Sequence, residues 1–60
     1  MAYVAVDNDG DEIIFEFPPK RSHNHVDWMG GGGSVYLPEG SIEKLTGKTL
    51  TWDDEPIELT

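Results

Sequence analysis

The sequence predicts a mainly β domain: a small antiparallel sheet or open barrel of four or five short strands, with one short helix at 42–46. Three observations carry that prediction. Two runs rich in β-branched and aromatic residues flank an Asp-Gly pair at the amino end, the strongest short-range signal of a hairpin. Further short apolar runs at 35–37, 49–52 and 57–59 are separated by Pro, Gly and Asp clusters. Between them, Ser41 and Gly47 bracket a segment with the end signals of a helix.

The hairpin pairs Ala2-Tyr3-Val4-Ala5-Val6 with Glu12-Ile13-Ile14-Phe15-Glu16-Phe17 across Asp7-Asn8-Asp9-Gly10-Asp11. Ile13, Phe15 and Phe17 alternate with Glu12, Ile14 and Glu16, so the odd positions are expected to face the core. A two-residue turn at Asp9-Gly10 sets Val6 opposite Ile13 and Val4 opposite Phe15. A type I turn over 7–10, with Gly10 as a left-handed bulge residue, pairs Ala5 with Ile13 and Tyr3 with Phe15 instead. Such a one-residue slip moves a whole apolar set to the other face. Val4 and Val6 bury more than Ala5, which favours the two-residue turn.

Pro18-Pro19 then ends the second strand, since neither residue donates to a ladder. Residues 18–34 read as a flexible loop within a single domain spanning 1–60. The loop holds Lys20, Arg21, both histidines and Asp27, a formal charge of about +1 against about −9 for the remainder. So long a connection in a small domain is either functional or disordered. Residues 30–34 spell Gly-Gly-Gly-Gly-Ser, which fits a natural glycine-rich loop or the repeat of a synthetic linker.

Val35-Tyr36-Leu37 is the next strand, stopped by Pro38-Glu39-Gly40. Ser41 is the expected N-cap, and Gly47 closes the helix. Glu43 suits the first turn, and Lys44 and Lys48 suit the far end. Ile42 and Leu45 share one face and are expected to dock on the sheet, because a helix under two turns long is held by packing. Thr49-Leu50-Thr51-Trp52 alternates with Leu50 and Trp52 inward, Asp53-Asp54-Glu55-Pro56 is turn chemistry, and Ile57-Glu58-Leu59 alternates again. The expected core is Val4, Val6, Ile13, Phe15, Phe17, Val35, Leu37, Ile42, Leu45, Leu50, Trp52, Ile57 and Leu59.

A chain of 60 residues buries only about 60% of its unfolded surface, so one marginally stable domain is expected. With no cysteine, neither disulfides nor thiolate metal sites supplement the core. No apolar run approaches a membrane span, and the start lacks a signal-peptide pattern, so a cytoplasmic protein is the expectation. The net charge of −8 repels phosphates and anionic lipid, arguing against direct nucleic acid or membrane binding. It suits a protein partner with a basic surface; the plainer reading is solubility.

Few residue groups carry chemistry. Aligning Gly10 with the invariant glycine of an EF-hand loop puts Asp7, Asp9, Asp11 and Glu16 at ligand positions, but Ala5 then occupies the first and the flanks are strands. An acidic hairpin tip is the better reading. His23, His25 and Asp27 project the same way on an extended segment and are the candidate ligands of a His-based metal site. A loop between two prolines and four glycines gives such a site little support, so a polar loop is the plainer account. No serine sits in a nucleophile elbow, and the glycine run lacks the Lys-Ser/Thr of a phosphate loop. Neither enzyme activity nor a cofactor is expected.

Interaction residues stand out more. Trp28 and Met29 beside Lys20 and Arg21 have the composition of a binding hot spot, although Trp28 serves equally well to close the core. A second candidate surface is Asp7, Asp9, Asp11 and Glu12 with Asp53, Asp54, Glu55 and Glu58, provided the hairpin tip and the 53–56 turn lie on one side. Carboxylates so arranged imitate phosphate spacing and fit a basic groove.

The segment Leu37-Pro38-Glu39-Gly40-Ser41-Ile42-Glu43-Lys44-Leu45-Thr46-Gly47-Lys48, followed by Leu50-Thr51-Trp52-Asp53-Asp54-Glu55-Pro56-Ile57-Glu58-Leu59, resembles short acidic proteins of bacteriophages and integrated mobile elements. The resemblance covers the C-terminal third and carries no catalytic motif. It implies a context: many such proteins are accessory factors in a bacterial host, and some inhibit host defence nucleases. The expected function is therefore a small acidic, non-enzymatic protein-interaction module, with a nucleic-acid-mimicking nuclease inhibitor and a His-based metal-binding module as alternatives. Edge strands in so small a sheet would also allow a homodimer.

Overall fold

Strands β1 (Ala2–Val6) and β2 (Glu12–Phe15) form the expected hairpin in a computed structural model that describes residues 2–22 and 27–59. The register is the bulged one: Tyr3 pairs with Phe15, Val4 with Ile14, Ala5 with Ile13 and Val6 with Glu12. The turn accounts for the slip. Gly10 N–H donates to the Asp7 carbonyl at 3.0 Å, Asp7 N–H donates to Asp11 O at 2.8 Å, and Gly10 sits at φ 91°. Asp7 Oδ1 and Asp9 Oδ1 accept from the amides of Asn8 and Asp11, the local bonding that makes aspartate a turn residue. Ala5 also loses nothing by facing inward, because both faces of this sheet are covered.

Chain topology explains the two-sided burial. The strands β5 (Ser34–Leu37) and β6 (Ile57–Leu59) flank the hairpin antiparallel, giving the order β5-β2-β1-β6, an open sheet and not a barrel. The helix α1 (Ser41–Thr46) covers one face, where Ile42 packs on Val4 and Val6 with Ile14, Leu37, Leu50, Ile57 and Leu59 around them. A separate ribbon, β3 (Pro19–Arg21) with β4 (Trp28–Gly30), belongs to the other face, where Trp28 and Tyr3 pack on Ala5, Ile13 and Phe15. Val4 and Ala5 are both fully buried, so β1 is the centre of the molecule.

Segment 18–34 thus carries two strands where the sequence reads as a loop. Pro19 is buried as the first residue of β3, a position where its missing N–H costs no ladder bond. The glycines are used closely. Gly30, Gly31 and Gly32 all have φ between 65° and 76°, and a Cβ on Gly31 would stand 2.6 Å from Phe15 Cδ1. Only a bare backbone fits over that ring. Glu16 N–H and Phe17 N–H donate to the carbonyls of Gly33 and Gly31 at 2.9 and 2.8 Å, tying the run to the end of β2.

Other expectations are corrected. Residues 49–52 are not a strand: Thr51 N–H donates to Asp54 Oδ2 and Asp54 N–H to the Thr51 carbonyl, folding 51–54 into a turn. Trp52 is accordingly half-buried against Trp28 and Arg21 instead of in the sheet core. Phe17, Val35 and Leu45 are exposed. Phe17 lies past the end of β2 and Val35 on an edge strand, while Leu45 overhangs the cleft beside β6, since so short a helix aims only Ile42 squarely at the sheet.

Ser41 is not the N-cap. It is the first helical residue, and its hydroxyl donates to the Pro38 carbonyl at 2.6 Å. Gly40 occupies the cap position at φ 90°, and the carboxylate of Glu12 supplies the acceptors: Oε2 takes the Gly40 amide at 2.6 Å and Oε1 the Ile42 amide at 2.7 Å. Gly47 closes the helix in the left-handed region as expected, donating to Glu43 O at 2.8 Å.

Candidate functional site

The most organised group of polar and aromatic side chains surrounds Arg21. β3 delivers it between two indoles, its guanidinium carbon 4.7 Å from the ring centroids of both Trp28 and Trp52. The rings meet edge to face at 5.3 Å and 69°. Nη1 donates to the Trp52 carbonyl at 2.6 Å and Nη2 to the Asp54 carbonyl at 3.2 Å. A guanidinium suits this place because it stacks on flat rings while its edge bonds two carbonyls. The ion pair with Glu55 at 3.4 Å adds little, because the carboxylate is 82% exposed. Trp28 completes the clamp by donating Nε1–H to the Val6 carbonyl at 2.9 Å. The 52–55 turn is thereby fastened to the end of β1.

That fastening decides where the acidic residues go. Val6 pairs with Glu12, and Glu12 with Leu37, so the 7–11 tip and the turn after β5 leave the sheet at one end. Val4 pairs with Ile57, so the 53–56 turn arrives at the same end. Asp9, Asp11, Glu12 and Glu39 line one cleft of about 290 Å³. Eight of the chain's twelve acidic residues, Asp7, Asp9, Asp11, Glu12, Glu39, Asp53, Asp54 and Glu55, therefore gather at this end. Partial desolvation raises the Asp11 carboxyl above its usual range, and the charge and hydrogen bond of Asp9, then the charge of Asp7, push it the same way.

The expected interaction residues divide accordingly. Asp7, Asp9, Asp11, Asp53, Asp54 and Glu55 come together. Glu12 is turned inward as the helix cap. Glu58 stands apart: it lies on β6 opposite Tyr3, whose hydroxyl is raised first by desolvation and then by the charge and hydrogen bond of Glu58. Trp28 and Arg21 are held in the clamp, with Trp28 half-buried on the core. Lys20 and Met29 face each other across the ribbon and remain exposed, beside an open cleft of about 360 Å³ with Pro18, Arg21 and Gly30.

His23 and His25 lie outside the described residues. Asp27 is exposed, and its backbone bonds to Ser22. Among the described residues no group of three or more His, Cys, Asp or Glu is placed to hold a metal, the acidic hairpin tip included. Glu39 is the member of the acidic end that sequence reading missed. Its signal was present as an acid in the Pro-Glu-Gly stop after a strand, but only the register of β5 against β2 brings it to the hairpin tip. No helix among the described residues is long and apolar enough to cross a membrane. No protein-family model, curated protein or solved structure matches this chain.

Proposed function

We propose that this chain is a small acidic, non-enzymatic interaction module that docks its carboxylate-rich end on a basic protein surface, as a phage or mobile-element accessory protein in the cytoplasm of a bacterial host. One observation supports the reading above the others. The hairpin tip and the 53–56 turn, far apart in sequence, project from one end of the sheet, with the Arg21 clamp fixing the second turn. Carboxylates held on two fixed turns lose little freedom on docking, and their summed field speeds encounter with a basic patch. The same arrangement favours a narrower form, a nucleic acid mimic that fills the DNA groove of a host nuclease.

The test is an affinity capture from host lysate with the immobilised chain at about 0.05 and 0.3 M salt, salt concentrations across which electrostatic contacts weaken strongly. A basic protein retained at low salt, released at moderate salt, and lost with Asp53→Asn/Asp54→Asn/Glu55→Gln is the expected result. Retention indifferent to salt and to charge neutralisation refutes the reading. Displacement of the chain from its partner by duplex DNA distinguishes the mimic from a simple adaptor.

A further inference from the structure

We infer that β5 is a self-association edge, and that two copies of the chain pair their β5 strands antiparallel across a two-fold axis. The four-stranded sheet ends in β5 on one side and β6 on the other, and the two edges differ in kind. Each is flanked by a proline, Pro38 after β5 and Pro56 before β6, but β6 carries Glu58, an ordinary way of discouraging a strand from pairing further. β5 has no charge. Ser34-Val35-Tyr36-Leu37 lies inside an uncharged run from 28 to 38, in a chain where 27% of residues are charged. Val35 is 62% and Tyr36 63% exposed, and Phe17, just past the end of the neighbouring strand, is 58% exposed.

The charge distribution leaves this edge open to a second copy and sets the direction. At −8 per chain, a second copy is repelled from most of the surface but little from this uncharged edge. The carboxyl end of β5 points to the acidic end, because Leu37 pairs with Glu12. Antiparallel pairing therefore sends the two acidic ends to opposite extremes of an eight-stranded sheet, whereas parallel pairing would set them side by side. A two-fold axis perpendicular to the sheet keeps each face continuous, so either Val35 or Tyr36 meets its own copy at the seam. Both choices put large apolar side chains across from each other.

The inference is independent of the proposed partner, and salt separates them: screening should weaken the acidic contact but strengthen the dimer. Sedimentation equilibrium of the full chain at about 0.05 and 0.5 M salt reads the association directly. The expected result is a monomer–dimer equilibrium that tightens with salt. Of Val35→Lys and Tyr36→Lys, the one at the position that meets its own copy should weaken it by about tenfold or more, since like charges then face each other across the seam. Both positions are exposed, and amide spectra of the variants show whether the monomer keeps its fold. Amide protection at 34–37 in the wild type should rise with protein concentration. A monomer at both salt concentrations up to about 1 mM, a concentration at which even weak pairing is visible, leaves the edge to a foreign strand and overturns the proposal. A dimer untouched by both lysine substitutions overturns it as well.

Discussion

Glu12→Ala should remove the link that docks the helix on the sheet. The Glu12 carboxylate accepts the amides of Gly40 and Ile42 at 2.6 and 2.7 Å, the only side-chain acceptors at that helix end among the described residues. Hydrogen bonds to a charged group are worth roughly 1.5–3 kcal/mol when well buried, and loss of a helix cap costs about 1 kcal/mol. Both bonds here are part-buried, so the pair is worth about 2–3 kcal/mol. The whole domain holds roughly 3–9 kcal/mol at typical stability per residue. About a fifth of that or more would go, lowering Tm by roughly 10–20 °C in a domain of this size. Ile42, 2% exposed and central to its face of the core, should loosen with it. Thermal unfolding followed by circular dichroism, with Glu39→Ala as the exposed control at the same end, makes the measurement. Equal small shifts for the two variants would refute the capping argument.

Three further outcomes follow from the geometry. Gly31→Ala and Gly30→Ala both force an L-residue to positive φ, but only Gly31 meets Phe15, so its variant should lose at least about 1 kcal/mol more in urea unfolding. Arg21→Lys keeps the charge but loses the stacked plane and one carbonyl bond, so it should cost about 1–2 kcal/mol and raise amide exchange at 52–55. The Asp11 carboxyl should titrate above 3.8 by carbon-detected NMR, and Asp9→Asn should bring it down. Because the folded state binds that proton more readily than the unfolded chain, Asp11's contribution to stability rises as pH falls through its folded pKa toward 3.8.

Local patterns announced much of this fold. The hairpin, the 35–37 and 57–59 strands, the helix and its glycine stop are all set by residues within a few positions of each other. What the sequence concealed is long-range. The register turned on whether one or both faces of β1 are covered, and the covering comes from Ile42 on one side and Trp28 on the other. Glu12 looked like an ordinary solvent-facing acid, and nothing near it in sequence shows the amides it serves at 40 and 42. Residues 49–52 alternated like a strand but were captured by the Thr51–Asp54 turn, whose carbonyls Arg21 needs. The acidic end was conditional on two turns meeting, a condition that only strand pairing resolves. Of the four glycines, read as slack, Gly31 and Gly32 lie against two aromatic rings, Phe15 and Phe17.

The pairing of the first strand with the last has a kinetic consequence. Ala2–Val6 finds one neighbour ten residues along, but its other neighbour only at Ile57–Leu59. During synthesis the most apolar strand therefore waits, one side bare, until nearly every other element has emerged, so assembly is a late, concerted event. Folding times in the millisecond-to-second range are expected for such non-local closure, slow for a protein this small. The abundance of carboxylates would then serve the nascent chain too, keeping unfinished copies apart while that valine-rich strand is still unsealed.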